Sequence, residues 1–237
     1  MQRWPRLDSA SGRRVFVVDA VAFDLDGTLL DTVHDLADAL NLLLVSQRLT
    51  PLPTEVVRDL IGKGIAELIG DALLRTRGTP PADGEVAALL PLYQQRYASI
   101  LGRQTQLYPG VRSGLDRMRA AGFALAVITN KTTRFVLPHL MHAGIAEYFD
   151  VVIGADDATA KKPDAAPMLL AAERLGVRPS RMMMVGDSMN DVGAARAAGG
   201  PVLVVPYGYR EGMTVQSLAA DGIVDSLDAV ADCIARQ

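Results

Sequence analysis

The densest run of chemically useful side chains is Asp24-Leu25-Asp26-Gly27-Thr28, where two carboxylates stand two residues apart at the end of an apolar stretch. Alternate side chains of an extended strand share a face, so this spacing aims Asp24 and Asp26 toward the same side. A carboxylate can attack phosphorus and form an aspartyl phosphate, dividing one difficult displacement into two easier ones. A second acid nearby can protonate the leaving oxygen and then activate water. A purely local explanation competes with this one. Asp-Gly is a common turn, and Thr28 with Asp31 matches a Thr-x-x-Asp capping box at a helix start.

Further along, Gly186-Asp187-Ser188-Met189-Asn190-Asp191 follows another apolar run, Met182-Met183-Met184-Val185. Magnesium takes hard oxygen ligands, usually one or two carboxylates completed by phosphate and water, and Asp187 suits that role if its strand adjoins the first. Ser188 and Asp191 again match a capping box, so Asp191 can serve the helix start, the acidic site or both. Thr129-Asn130-Lys131 closes a third apolar run, where a hydroxyl and the backbone N–H groups of a helix start can hold phosphate oxygens. Thr129 or Thr132 can equally be an ordinary N-cap. Lys161-Lys162-Pro163 precedes a helical pattern and offers a cation to offset the charge crowded around nucleophile and phosphate. Each piece alone has a structural explanation. Acids, hydroxyl and lysine at successive strand ends argue for one phosphate site. Phosphate monoester hydrolysis needs such a concentration of charge, since enzymes accelerate it by up to ~10²¹-fold.

The elements that must position these groups are short apolar strands alternating with amphipathic helices. Strands are expected over 15–25, 124–129, 151–154, 181–185 and 202–205, and helices over 110–121, 133–143, 165–175 and 189–198. Near-continuous apolar strands in this alternation predict an α/β fold with a doubly wound parallel sheet, covered on both faces. Ligands in such sheets bind outside the carboxyl ends of the strands. Residues 34–105 interrupt the rhythm with helical patterns over 35–47, 54–60, 65–74 and 85–99 and no convincing strand, which predicts an inserted α-helical cap domain. The core domain then comprises 15–33 and 106–237, preceded by an N-terminal tail, 1–14.

Composition narrows the class further. At 49% hydrophobic and 22% charged, the chain is an ordinary globular protein of 237 residues, enough for one large domain with an insert. A net charge of -3 with scattered basic residues gives no footprint for nucleic acid. No apolar run approaches the ~18 residues of a membrane span, and no signal-peptide pattern opens the chain. The single cysteine, Cys233, forms no internal disulfide and fits a reducing compartment. A cytoplasmic location is therefore expected. Without a heptad seam the sequence leaves monomer and homodimer equally open. No Gly-x-Gly-x-x-Gly fingerprint occurs, and Gly62-Lys63 lacks the spacing of a Walker lysine.

Taken in order, Asp24-Leu25-Asp26-Gly27-Thr28, Thr129-Asn130, Lys162-Pro163 and Gly186-Asp187-Ser188-x-x-Asp191 resemble the four motifs of the haloacid dehalogenase superfamily, over roughly residues 20–235. The resemblance implies a parallel core sheet with a helical cap inserted after the first motif. It makes Asp24 the nucleophile and Asp26 the general acid/base. Magnesium would be held by the Asp24 carboxylate, the Asp26 main-chain carbonyl and Asp187, with Asp191 and Ser188 supporting them. Gly27, Thr129, Asn130 and Lys162 would surround the phosphate, and Lys162 would also stabilise the nucleophile. Within the superfamily, Ile61-Gly62-Lys63-Gly64, Val127-Ile128-Thr129-Asn130-Lys131 and Tyr207-Gly208-Tyr209 resemble the bacterial phosphoglycolate phosphatases. That implies hydrolysis of 2-phosphoglycolate, a small phosphate monoester, with another phosphatase or phosphomutase, such as one acting on a sugar phosphate, as the alternative. Gly62, Lys63 and Gly64 would then meet the substrate, with Lys63 over its carboxylate. Asp164-Ala165-Ala166-Pro167 departs from the family, which often has a further proline there.

Overall fold

The computed structural model describes residues 6–7 and 14–236, so most of the 1–14 tail lies outside the described residues. Six parallel strands form the central sheet: β1 (Ala20–Phe23), β2 (Ala124–Ile128), β3 (Val151–Ile153), β4 (Met182–Gly186), β5 (Val202–Val204) and β6 (Gly222–Ile223). Their spatial order is β6-β5-β4-β1-β2-β3, so β1 lies at the centre. Phe23 pairs with Val127 of β2 and with Val185 of β4, which brings the acidic and hydroxyl-bearing segments to one edge.

The strands lack polar alternation because both faces are covered. One face packs Val21, Phe23, Val127 and Val185 beneath α5 (Val111–Ala120), α6 (Thr133–His142) and α9 (Leu227–Cys233). The other sets Ala20, Ala22 and Ala126 beside Met182 and Met184 under α7 (Ala166–Leu175) and α8 (Met189–Ala198). Ala20 and Ala22 pair with Met182 and Met184 in register, and the flexible thioethers fill the room the small residues leave. Each buried methionine contributes about 1.5–3 kcal/mol by leaving water.

The apolar run 15–25, expected as one strand, is divided. Arg14–Val17 leaves the central sheet, pairing antiparallel with Arg6–Leu7 and parallel with Ile234–Ala235. The break falls at Asp19, whose carboxylate accepts from Arg181 Nε and Nη2 at 2.9 and 2.6 Å while Arg181 Nη1 donates to the Val17 carbonyl at 3.0 Å. A polar anchor in mid-run outweighs hydrophobic continuity.

Four helices make up the insertion: α1 (Val33–Ser46), α2 (Thr54–Arg58), α3 (Ile65–Arg77) and α4 (Glu85–Ile100). They share a hydrophobic cluster of their own, which includes Leu40, Leu43, Ile69 and Tyr93 and, among the described residues, receives Phe135 and Tyr209 from the main body. Where the chain leaves the main body and returns, Leu30–Asp31 pairs antiparallel with Gln106–Leu107. Among the described residues no helix is long and apolar enough to cross a membrane.

Asp35 closes the base of the insertion. Fully buried at the start of α1, it accepts from the Gly102 and Gln104 amides at 3.0 and 2.9 Å and from the Thr105 hydroxyl at 2.8 Å. Removing such an acceptor leaves buried donors unpaired at about 1–3 kcal/mol. Asp35→Ala is therefore expected to lower the unfolding free energy by that amount, read as a fall in the urea midpoint at unchanged m, and an unshifted midpoint would show that water replaces the carboxylate.

Candidate active site

The turn after β1 gathers backbone donors on one carbonyl: the amides of Leu29 and Leu30 both reach Leu25 O at 3.0 Å, and the Gly27 amide returns to Leu30 O at 2.9 Å. This holds Asp24 and Asp26 at the sheet's carboxyl edge. Asp24 is nearly buried, with its side chain 13% exposed, and Lys162 Nζ lies 2.9 Å from Oδ1. The same ammonium donates to Asp191 Oδ1 at 2.6 Å and to the Ile128 carbonyl at 2.8 Å. Burial disfavours the Lys162 charge, but Asp191 and Asp24 outweigh burial and hold the ammonium above its ordinary range. For Asp24 burial dominates: despite Lys162, desolvation and the neighbouring Asp191 push its carboxyl up to about 6.

Asp187 follows β4 and is also buried. It accepts from the Thr28 hydroxyl at 2.9 Å and from the Tyr209 amide. Burial, then Asp191 and Asp24, raises its carboxyl well above the usual carboxylate range. Asp191 realises both roles open to it in the sequence. Its Oδ2 accepts from the Ser188 amide at 3.0 Å, the Ser188 hydroxyl at 2.9 Å and the Asp187 amide at 3.1 Å, forming the capping box of α8, while Oδ1 anchors Lys162. The Thr28–Asp31 capping box is not formed. Thr28 turns to Asp187, and Asp31 accepts from the Tyr209 hydroxyl at 2.7 Å.

Asp24, Asp187 and Asp191 offer carboxylate oxygens within 4.8 Å of one another. With Asp26 they make four buried or nearly buried acids, against two ammonium groups, Lys162 and Lys131. The surplus of two negative charges and the all-oxygen donor set fit one hard divalent cation. Asp191 is committed to the Lys162 ammonium through Oδ1 and to three donors through Oδ2. Asp187 meets one neutral donor on each oxygen and Asp24 carries its Leu25 and Lys162 contacts on Oδ1, so Asp24 and Asp187 are the carboxylates better suited to hold it.

Asp26 has a different environment. Both its oxygens lie 3.0 Å from Lys131 Nζ, and Oδ1 also accepts from the Thr32 hydroxyl at 2.7 Å. Burial opposes its charge, but Lys131, His139 and Thr32 together prevail and hold its carboxyl below the ordinary value. Lys131 in turn donates to the Tyr97 hydroxyl of α4 at 2.7 Å. His139 is buried against the Tyr97 ring, and desolvation with the nearby ammonium depresses it to about 3. The Lys131 side chain and its link to Tyr97 escaped sequence reasoning. The available signal was Lys131 two residues beyond Thr129 at a strand end.

Thr129 Oγ1 accepts from the Lys131 amide at 3.2 Å, bending the chain after β2. Asn130 Nδ2 donates to the Lys162 carbonyl at 2.9 Å and across to Gly62 O of the insertion at 3.1 Å. Gly62 and Gly64 take φ of 141° and 109°, a region that favours glycine, and both line the cleft above Asp24 and Asp26. Lys63 does not line it. Its ammonium pairs with Glu211 at 2.6 Å on the outer side, half exposed. Lys161 secures the same loop from below, reaching the Lys63 carbonyl at 2.7 Å and the Glu67 carboxylate.

A nearly buried carboxylate paired with a buried lysine, an all-oxygen acidic cluster able to hold a cation and a further acid converge at the carboxyl edge of a parallel sheet, beneath a helical roof. This combination suits a hydrolase of phosphate esters built on a doubly wound fold. Residues 18–199 match the family model for haloacid dehalogenase-like hydrolases, and the chain belongs to that family. It is 47% identical to the phosphoglycolate phosphatase of Nitrosospira multiformis over 210 residues, covering 89% of this chain and 92% of that one. Identity to the phosphoglycolate phosphatase of Chromobacterium violaceum is 41%, over 91% of this chain and 96% of the relative. The crystal structure of a predicted phosphoglycolate phosphatase from Haemophilus somnus superposes with a TM-score of 0.84 at 30% identity, covering 91% of this chain and 97% of that one.

Gly208 shows how tightly the site is packed, because a Cβ there would overlap the Asp187 side chain and the Gly27 carbonyl. Overpacking of this kind costs about 1–3 kcal/mol. Gly208→Ala is expected to lose that much stability in urea unfolding, and an unchanged midpoint would mean that the loop yields freely.

Proposed function

We propose that the protein is a magnesium-dependent phosphatase that converts 2-phosphoglycolate to glycolate and phosphate through phospho-Asp24. The observation that carries this reading is the Asp24–Lys162–Asp191 chain beside Asp187, in a member of a family whose phosphoglycolate phosphatases reach 47% identity to it.

In the first step an Asp24 oxygen forms a bond to phosphorus, the bond from phosphorus to the glycolate oxygen breaks, and that oxygen takes a proton from Asp26. Asp26 must first take one up from water as Lys131, which holds its carboxyl low in the substrate-free protein, gives up part of its contact. In the second, water attacks the same phosphorus, Asp26 takes the proton back, and Asp24 leaves as a carboxylate. Lys162 neutralises charge on the nucleophile and the transferring group, and Asp191 holds Lys162 in place. The Thr129 hydroxyl and the amides around Gly27 and Asn130 cradle phosphate oxygens. Magnesium would be held by Asp24, Asp187 and the Asp26 main-chain carbonyl, and when bound it supplies positive charge to the phosphoryl oxygens. The helical roof excludes water during attack and opens for release. Its lining favours a small substrate over a sugar phosphate: Leu36, Ile61, Ile65 and Leu68 offer no hydrogen-bond partners for a row of hydroxyls.

Phosphate release from 2-phosphoglycolate, sugar phosphates, nucleoside monophosphates and p-nitrophenyl phosphate, with magnesium present, should give the highest specificity constant for phosphoglycolate. A sugar phosphate in first place would discard the substrate and keep the chemistry. Asp24→Asn should lower kcat by about 10⁴-fold or more, and substantial residual turnover would overturn the covalent route.

Magnesium should also raise the melting temperature in a pH-dependent way. With its carboxyl at about 6 in the metal-free protein, Asp24 carries a proton at pH 5 that a cation must displace, and none at pH 8. The magnesium-induced rise is expected to be larger at pH 8 than at pH 5. Equal rises would mean that neither Asp24 nor Asp187, whose carboxyl is also raised, gives up a proton to the cation.

A further inference from the structure

The cleft presents a problem for an acid substrate. The insertion contributes Leu36, Ile61, Gly62, Gly64, Ile65 and Leu68 to its wall, none of them charged. Lys63 is turned away to Glu211, Lys161 is occupied by Glu67 and the Lys63 carbonyl, and Lys162 is spent on Asp24 and Asp191. The remaining cation in the wall, among the described residues, is Lys131, 4% exposed.

We infer that Lys131 reads the substrate's carboxylate, exchanging one of its two contacts with Asp26 for it. This rests on the phosphatase reading above and names the residue that would set its substrate class: monoesters with an acidic group one carbon from the ester oxygen. In phosphoglycolate a single CH₂ separates the leaving oxygen from the carboxylate. A side chain placed to protonate that oxygen therefore has the carboxylate beside it. Lys131 sits 3.0 Å from both oxygens of Asp26, so a substrate engaged with Asp26 brings its carboxylate to this ammonium. The Tyr97 hydroxyl, 2.7 Å from Nζ, and the Tyr97 ring, 4.8 Å below it, hold the ammonium while partners exchange. A charge-assisted bond shielded from water is stronger than an exposed one. A monoester without the carboxylate leaves Lys131 on Asp26 and gains nothing from it.

The test compares kcat and KM for 2-phosphoglycolate and for ethyl phosphate, which lacks the carboxylate. The enzymes are the magnesium-loaded wild type, Lys131→Met and Lys131→Arg. Methionine matches the lysine stem in length, so the fold is expected to survive, with circular dichroism as the check. Wild type should favour phosphoglycolate. In Lys131→Met the ratio of the two specificity constants should fall at least about tenfold, mainly through KM for phosphoglycolate, and Lys131→Arg should restore part of it. Turnover on both substrates should drop in Lys131→Met, since Asp26 loses a partner. An equal loss on both, with the ratio intact, would overturn the inference and leave Lys131 a positioning residue for Asp26. A wild type without preference for phosphoglycolate would instead defeat the substrate reading. Should Lys131→Met not fold, Tyr97→Phe serves: a severalfold fall in the same ratio supports the role, and an unchanged ratio overturns it.

Discussion

Lys162 donates to Asp24, Asp191 and the Ile128 carbonyl, and through these three bonds it joins the carboxyl ends of β1 and β2 to the start of α8. Taking an ammonium and several carboxylates out of water is costly, and their mutual attraction compensates only when every remaining donor and acceptor is satisfied. Much of the surrounding architecture serves that condition. The α8 capping box saturates one Asp191 oxygen, Thr28 and the Tyr209 amide hold Asp187, and β4 lies next to β1 so that these groups meet. The acidic surplus that remains is what a divalent cation is suited to engage.

Besides the packing of Phe135 and Tyr209 into its hydrophobic cluster, the roof is tied to this floor by polar contacts. Asn130 reaches Gly62 O, Lys161 holds the Lys63 carbonyl and Glu67, Lys63 pairs with Glu211, and Lys131 meets Tyr97. Exposed ion pairs such as Lys63–Glu211 are worth about 0–1 kcal/mol. Contacts of that size can hold a roof closed and still release it. The hydrophobic cluster within the insertion, by contrast, lets the four helices move as one body rather than unravel.

Much of this was legible in the sequence, for identifiable reasons. Strands buried on both faces leave a plain apolar signal, and the helices over 33–46, 65–77 and 133–142 match their expected patterns because each carries its own amphipathic period, while that over 189–198 is marked by the Ser188–Asp191 capping box. Residue spacing also marked Asp191 as a helix cap and left its part in the acidic site open, and in the structure it both caps the helix and anchors Lys162. What escaped depends on distant pairing. Asp19 breaks an apolar run only because Arg181 lies opposite it, the two-residue strands at the ends of the insertion exist only as a pair, and α9 is a short helix fixed by packing on α5. Lys63 illustrates the reverse error. Its position between two glycines suggested a ligand, yet Glu211, 148 residues away in sequence, claims the ammonium.

The contrast between the two lysines of the cleft follows from their neighbours. Among the described residues, Lys162 is the cation paired with Asp24 and Asp191, so its charge is committed to holding them together. Lys131 has one acid, a tyrosine and an apolar wall around it. Both are nearly inaccessible to water, and both are held by bonds rather than by solvent. Lys131 lines the cleft with a single acidic partner, Asp26. On the proposed phosphatase reading that partner changes protonation state during the reaction, and a buried charge whose counter-ion changes role is a natural place for a substrate anion to enter. On the same reading the fold would separate two tasks on adjacent strand ends, with Lys162 serving the phosphoryl group and Asp26 and Lys131 the leaving group.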